Sequence, residues 1–258
     1  MQPLIIPLKP LVVFIIVLAR TAGLVTFAPF WGHKSVSAQI RIVLAFTLAL
    51  ALTPLLLNRI TPPSFDLLTL IPTLIGELLI GCAFGFVGRL VFSGLEMAAQ
   101  VIGFQMGFSL AGTIDPSTKA QTAALGAVAQ MVGLVIFMGA DGHHWLLMAT
   151  VRSFEVAGPG AAQFTPALAQ LLIRLSADAL TVGVALAAPS IVMLLAVEFA
   201  LAIAGRAIPQ IQVMILGFPL KIAAGLWLIG ASIYFMPGAV RGALAAMQTG
   251  LHRVLGSL

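Results

Sequence analysis

Apolar residues run through this chain in long blocks with few polar interruptions. Blocks near 11–30, 39–57, 67–92, 95–110, 120–140, 167–174, 179–204 and 211–236 predict helices. Several reach the roughly 20 residues needed to cross a bilayer core. Polar or turn-forming stretches separate them at Trp31 to Ser37, Asn58 to Asp66, Asp115 to Gln121, Arg152 to Pro166 and Gly205 to Gln212. The first block follows Lys9 and three early prolines, carries Arg20 within it and is followed by no small-residue cleavage site, so it predicts a retained helix rather than a signal peptide. The pattern predicts an all-α integral membrane protein, a single unit of broken hydrophobic helices.

Composition strengthens that reading. Of 258 residues, 60% are apolar and 8% charged, with mean hydropathy +1.12; soluble domains carry about 25% charged residues. The 13 Lys and Arg are spread singly, with no cluster that would track phosphates, which argues against nucleic acid as a partner. The single cysteine, Cys82, has no intramolecular partner and reads as a small apolar side chain.

Charge placement does change the picture. Lys and Arg flank both ends of most blocks, so the positive-inside rule assigns no orientation. Arg20, Glu77, Arg89, Glu96 and Glu198 lie inside apolar blocks, where a charge at the bilayer centre costs about 2.5–3.5 kcal/mol on insertion scales. Glu77 and Arg89 stand about 18 Å apart along a helix, too far to pair with each other. Their partners are expected on other helices or other subunits.

Candidate chemistry is sparse. Asp141-Gly-His-His concentrates metal-capable side chains, but adjacent histidines on a helix point about 100° apart, and no second cluster completes a shell. It reads as a polar turn with histidines at a helix start, with no metal. The chain has no nucleophile elbow, phosphate loop or dinucleotide-binding glycine pattern, so neither catalytic residues nor a cofactor are expected. Glycines and prolines beside intramembrane charges also suit an ion-coupled secondary transporter, the alternative reading, although that architecture calls for matched broken helices in two halves.

Four stretches in order carry a resemblance: PFWGHKSV at 29–36 with Arg41, QVIGFQMGFSLAGTIDPSTKAQ at 100–121, FMGADGHHWLL at 137–147 with Ser153-Phe154, and IPQIQVMILGFPLKI at 208–222. Together the chain resembles the FliR family, the R subunit of the flagellar type III export gate, homologous to an injectisome family. DGHHWLL is closer to the flagellar branch. The resemblance implies a non-enzymatic part of a protein-conducting channel in the bacterial inner membrane, within the flagellar basal body. Its implied partners are the FliP and FliQ export-gate subunits, an FlhB-type switch protein, an FlhA-type export protein, unfolded flagellar substrates and membrane lipids. It further implies a P-subunit-like part over about 1–175, followed by a Q-subunit-like helical hairpin over 176–258.

The resemblance places a pore plug at Gly103, Phe104, Met106, Gly107, Phe108, Leu110, Gly112, Ile114, Asp115 and Pro116. Physically, Phe104, Met106 and Phe108 offer bulk to close a lumen, and the glycines lower the cost of leaving helical geometry. Asp115-Pro116 reads as a turn. Subunit contacts are expected at Glu77, Arg89, Glu198, Arg206, Pro209, Gln210 and Lys221.

Overall fold

Ser37 accepts a hydrogen bond from the Ile40 amide at 3.4 Å while holding an extended backbone (φ −61°, ψ 150°), so the helix that follows starts with one of its orphan donors satisfied. That helix is α2, Ala38–Leu56, and α1 before it is Leu8–Phe27. The chain continues through α3 (Leu67–Gln105), α4 (Lys119–Gly139), α5 (Gly142–Val156), α6 (Pro166–Ala207) and α7 (Val213–Gly256). The computed structural model describes residues 8–29, 31–32, 36–60, 66–107, 119–160, 166–207 and 213–256, and among these there is no strand. The protein is an all-α membrane protein.

Among the described residues, four helices are long and apolar enough to cross a membrane: α1, α2, most of α3 and most of α6. Gln130–Gly139 and Gly142–Val156, bent by 65° at their junction, make a fifth if taken as one broken span. The 39 residues of α3 and 42 of α6 extend about 58 and 63 Å at 1.5 Å per residue. A hydrocarbon core is about 30 Å thick, so each is roughly twice the length one crossing requires.

The expected breaks within α3 and α6 are absent. Gly94, where α3 was expected to end, is instead a point of helix contact: a Cβ there would stand 3.0 Å from the Ala179 carbonyl oxygen, and one at Gly183 would stand 2.8 Å from the Gly94 oxygen. Gly94 and Ala98 on α3 face Gly183 and Ala187 on α6, a small-residue seam of the kind that lets membrane helices touch backbone to backbone. In α6 the polar Ser176 does not interrupt the helix because its hydroxyl donates back to the Leu172 carbonyl at 2.7 Å. The polar stretch from Arg152 belongs partly to α5, which keeps Arg152 and Glu155 on its exposed side.

Contacts divide the chain into two units. The first contains residues 1–90, 141–176 and 244–258; the second contains 91–140 and 177–243. The core of the first unit gathers Val12, Val13, Ile16 and Val17 of α1 with Ala49 and Leu56 of α2 and Phe154 of α5. The core of the second gathers Ala98, Ile102 and Met106 with Ala187 and Leu194.

Candidate functional site

The buried stripe of α1 runs Val12, Val13, Ile16, Val17, Arg20, Thr21 and Leu24, a helical period that turns Arg20 directly inward. Arg20 is fully buried and Glu77 of α3 is 1% exposed. The Arg20 Nε donates to Glu77 Oε2 at 2.6 Å, and Nη2 lies 2.5 Å from the same oxygen. Nη1 donates to Ser153 Oγ of α5 at 2.6 Å, and that hydroxyl in turn donates to the Thr150 carbonyl. The ring of Phe154 closes over the guanidinium at 3.6 Å, a cation–π contact. One guanidinium and one carboxylate thereby join α1, α3 and α5.

The junction depends on how closely α1 and α3 approach. A Cβ on Gly85 would stand 2.6 Å from the Leu24 carbonyl oxygen, and one on Gly81 would stand 2.9 Å from the Leu24 amide nitrogen. Both glycines therefore place the helices near enough for Arg20 to reach Glu77. Glu77, expected among the subunit contacts, engages its carboxylate with Arg20 within the chain. Sequence reasoning did not find its pairing with Arg20; the available signal was the presence of opposite charges inside the apolar blocks 11–30 and 67–92.

The second feature is the end of α3. Gly103 is buried within the helix, Met106 is fully buried, and Phe104 is 65% exposed. Met106 stands two positions after Phe104, about 200° around a helix, so the two side chains leave on opposite sides. Within this chain Phe104 presents its ring outward, while Met106 is packed inward. Gly107 adopts a left-handed backbone (φ 88°), and its amide donates to the Phe104 carbonyl at 3.0 Å, closing the helix. Met106 lies against Gly225 of α7, where an added Cβ would stand 2.5 Å from Met106 Cγ and Sδ. Phe108, Leu110, Gly112, Ile114, Asp115 and Pro116 lie outside the described residues, as do Pro209 and Gln210.

The remaining charges occupy wetter positions. Lys221 of α7 pairs with Glu198 of α6, the two side chains being 21% and 42% exposed. Arg89 is exposed, and Arg206 is exposed in the last turn of α6, where a cation complements the helix dipole. At the start of α5, Asp141 holds a left-handed backbone (φ 55°), and its carbonyl accepts from the His144 amide at 2.9 Å. The His143 and His144 rings stack at 4.7 Å, and His144 Nδ1 stands 3.4 Å from Asp141 Oδ1. These three residues could each offer one ligand atom, all within 4.8 Å, but Asp141 and His144 are exposed and no fourth such side chain joins them among the described residues.

Residues 11–247 match the model of the bacterial export proteins, family 1. The chain is 33% identical to the flagellar biosynthetic protein FliR of Caulobacter vibrioides over 84% of its own length and 87% of that protein's. It is 30% identical to FliR of Escherichia coli, over 83% and 81% of the two chains, and 31% identical to FliR of Bacillus subtilis, over 81% and 82%. With matches over more than four-fifths of the chain added to an all-helical membrane fold, the chain belongs to the bacterial export proteins, family 1, and to the FliR family within it.

Proposed function

We propose that this chain is the R-type subunit of a flagellar protein export gate, a non-enzymatic channel component of the bacterial inner membrane and basal body. It assembles with P- and Q-type subunits, meets FlhB- and FlhA-type proteins, and passes unfolded flagellar substrates. Residues 1–175 act as its P-like part and 176–258 as its Q-like hairpin. Family membership across residues 11–247 and the relatives' description as flagellar biosynthetic proteins support this reading. The lengths of α3 and α6 also favour an assembly that extends beyond one bilayer plane.

The observation that carries the channel role is the end of α3, where an apolar helix stops at a left-handed glycine with a large aromatic side chain left exposed beside it. A pore for unfolded chains must exclude ions at rest yet yield to many side chains, which favours a displaceable apolar seal over a rigid polar filter. In this proposal Phe104 and the following Phe108, Leu110 and Ile114 form that seal, and the turn at Asp115-Pro116 returns the chain. Shortening the segment between Phe108 and Ile114, together with Phe104→Ala, leaves co-purification with P- and Q-type subunits intact and raises resting ion conductance across the inner membrane. Unchanged conductance in correctly assembled complexes overturns the seal.

The ion-coupled transporter reading draws on one observation, the 65° bend between Gln130–Gly139 and Gly142–Val156. Such transporters use corresponding broken helices in both halves, and among the described residues that pair has no counterpart. Solute uptake into liposomes containing the purified chain alone would favour it.

A further inference from the structure

We infer that Met106 is the anchor of the α3 terminus and Gly225 its socket, a pair that positions the start of the seal proposed above; the inference rests on that reading. Met106 is fully buried, in a cluster with Ala98, Ile102, Ala187 and Leu194, while Phe104 on the other side of the helix is exposed. Its amide still donates to the Ile102 carbonyl at 3.0 Å, so it is the last residue held in α3 register before Gly107 turns left-handed. One side chain thus joins the core of the second unit to the point where the chain leaves the helix.

Gly225 explains why the side chain fits. A Cβ at 225 would stand 2.5 Å from Met106 Cγ and Sδ and 2.8 Å from Cε, well inside the roughly 3.5–4.0 Å of ordinary carbon contact. Glycine is among the least favourable residues in a helix interior, yet here it faces a filled space rather than an open one. Gly230, one and a half turns further along α7, has nothing within 4 Å of its would-be Cβ. The small residue at 225 is therefore matched to the large one at 106, and a methyl added at 225 forces the Met106 side chain to shift.

This reciprocity gives the test. Gly225→Ala, Met106→Ala, the double variant, Gly230→Ala and the loop-shortened chain are each expressed with the P- and Q-type subunits, and resting conductance and the thermal unfolding midpoint of the purified complex are measured. Gly225→Ala raises conductance severalfold and lowers the midpoint. Adding Met106→Ala, which vacates the space the new methyl needs, returns both toward the parent. Gly230→Ala changes neither. If Gly225→Ala does not accumulate, recovery of the complex in the double variant is the supporting result.

A Gly225→Ala defect that is undiminished in the Met106→Ala background overturns the inference, as does an equal defect from Gly230→Ala. If the loop-shortened chain leaks while Gly225→Ala does not, the anchor fails and the seal stands. If the loop-shortened chain does not leak, the seal fails, and positioning for it fails too; suppression in the unfolding midpoint alone then marks the pair as core packing.

Discussion

Arg20 in the first unit and Met106 in the second occupy equivalent situations with opposite chemistry. Both are long, flexible side chains with no exposed surface, and both lie where a glycine lets another helix come close. Arg20 is held by directed bonds to Glu77 and Ser153 and by the ring of Phe154. Met106 is held by shape alone, among Ile102, Ala187, Leu194 and the bare backbone of Gly225. A thioether adapts to an irregular space at little cost, whereas a buried guanidinium must have its donors satisfied in one geometry. The first unit is therefore specified in register, and the second is specified mainly in volume.

The strongest way to break this comparison is to remove one half of the ion pair. Arg20→Ala or Glu77→Ala leaves the other charge buried and uncompensated, at a cost of about 3–5 kcal/mol. Met106→Leu, which nearly conserves volume, costs less than about 1.5 kcal/mol. Arg20→Met combined with Glu77→Leu recovers most of what either single truncation loses, because the desolvation of both charges disappears together. Unfolding midpoints of the purified complex give the order. If Arg20→Ala is no more damaging than Met106→Leu, the junction is not what holds α1, α3 and α5.

A smaller effect separates the two glycine contacts by what stands opposite them. The Cβ of Gly81→Ala would meet backbone, 2.9 Å from the Arg20 carbonyl carbon and the Leu24 amide nitrogen, and backbone cannot rotate away. At Gly225 the obstacle is a side chain. Overpacking of this kind costs about 1–3 kcal/mol, and Gly81→Ala falls above Gly225→Ala in that range. Gly139→Ala, with open space around it, stays near neutral. Reversal of the first two would mean that α1 and α3 separate more easily than Met106 moves.

The sequence made α1 and α2 legible because their apolar runs, 11–30 and 39–57, coincide closely with Leu8–Phe27 and Ala38–Leu56. It could not show which side of α1 faces inward, since an almost uniformly apolar helix has no amphipathic stripe to read. Glu77 could not be singled out as the partner of Arg20 for that reason. Breaks were placed at Ser93-Gly94 and near Ser176 because polar and small residues usually punctuate helices, but here glycine serves contact and serine bonds its own helix. α5 was legible only at its start, where His143 and His144 were read at a helix start; Arg152 and Glu155 look like loop although its buried side carries Leu146, Ala149, Ser153 and Phe154. At the candidate seal, bulk was legible and direction was not: Phe104 and Met106 read alike until the helix placed them on opposite sides.

The smallest expected effect on the chain itself is at Glu198 and Lys221, the second unit's own ion pair. Their side chains are 42% and 21% exposed, so breaking the pair leaves a charge that can still be solvated or shift its position. Pairs this accessible contribute about 1 kcal/mol or less, and Glu198→Ala shifts the chain's own unfolding midpoint only slightly, in contrast to Glu77→Ala. The same accessibility leaves carboxylate surface free for a neighbour, and Arg206 stands exposed eight residues along α6. We therefore expect Glu198→Ala and Arg206→Ala to reduce the yield of co-purified P- and Q-type subunits more than they reduce stability. Buried charge then fixes the chain and exposed charge fixes the assembly. Normal co-purification and normal motility in both variants would remove that second role and leave Glu198–Lys221 as a weak intramolecular pair.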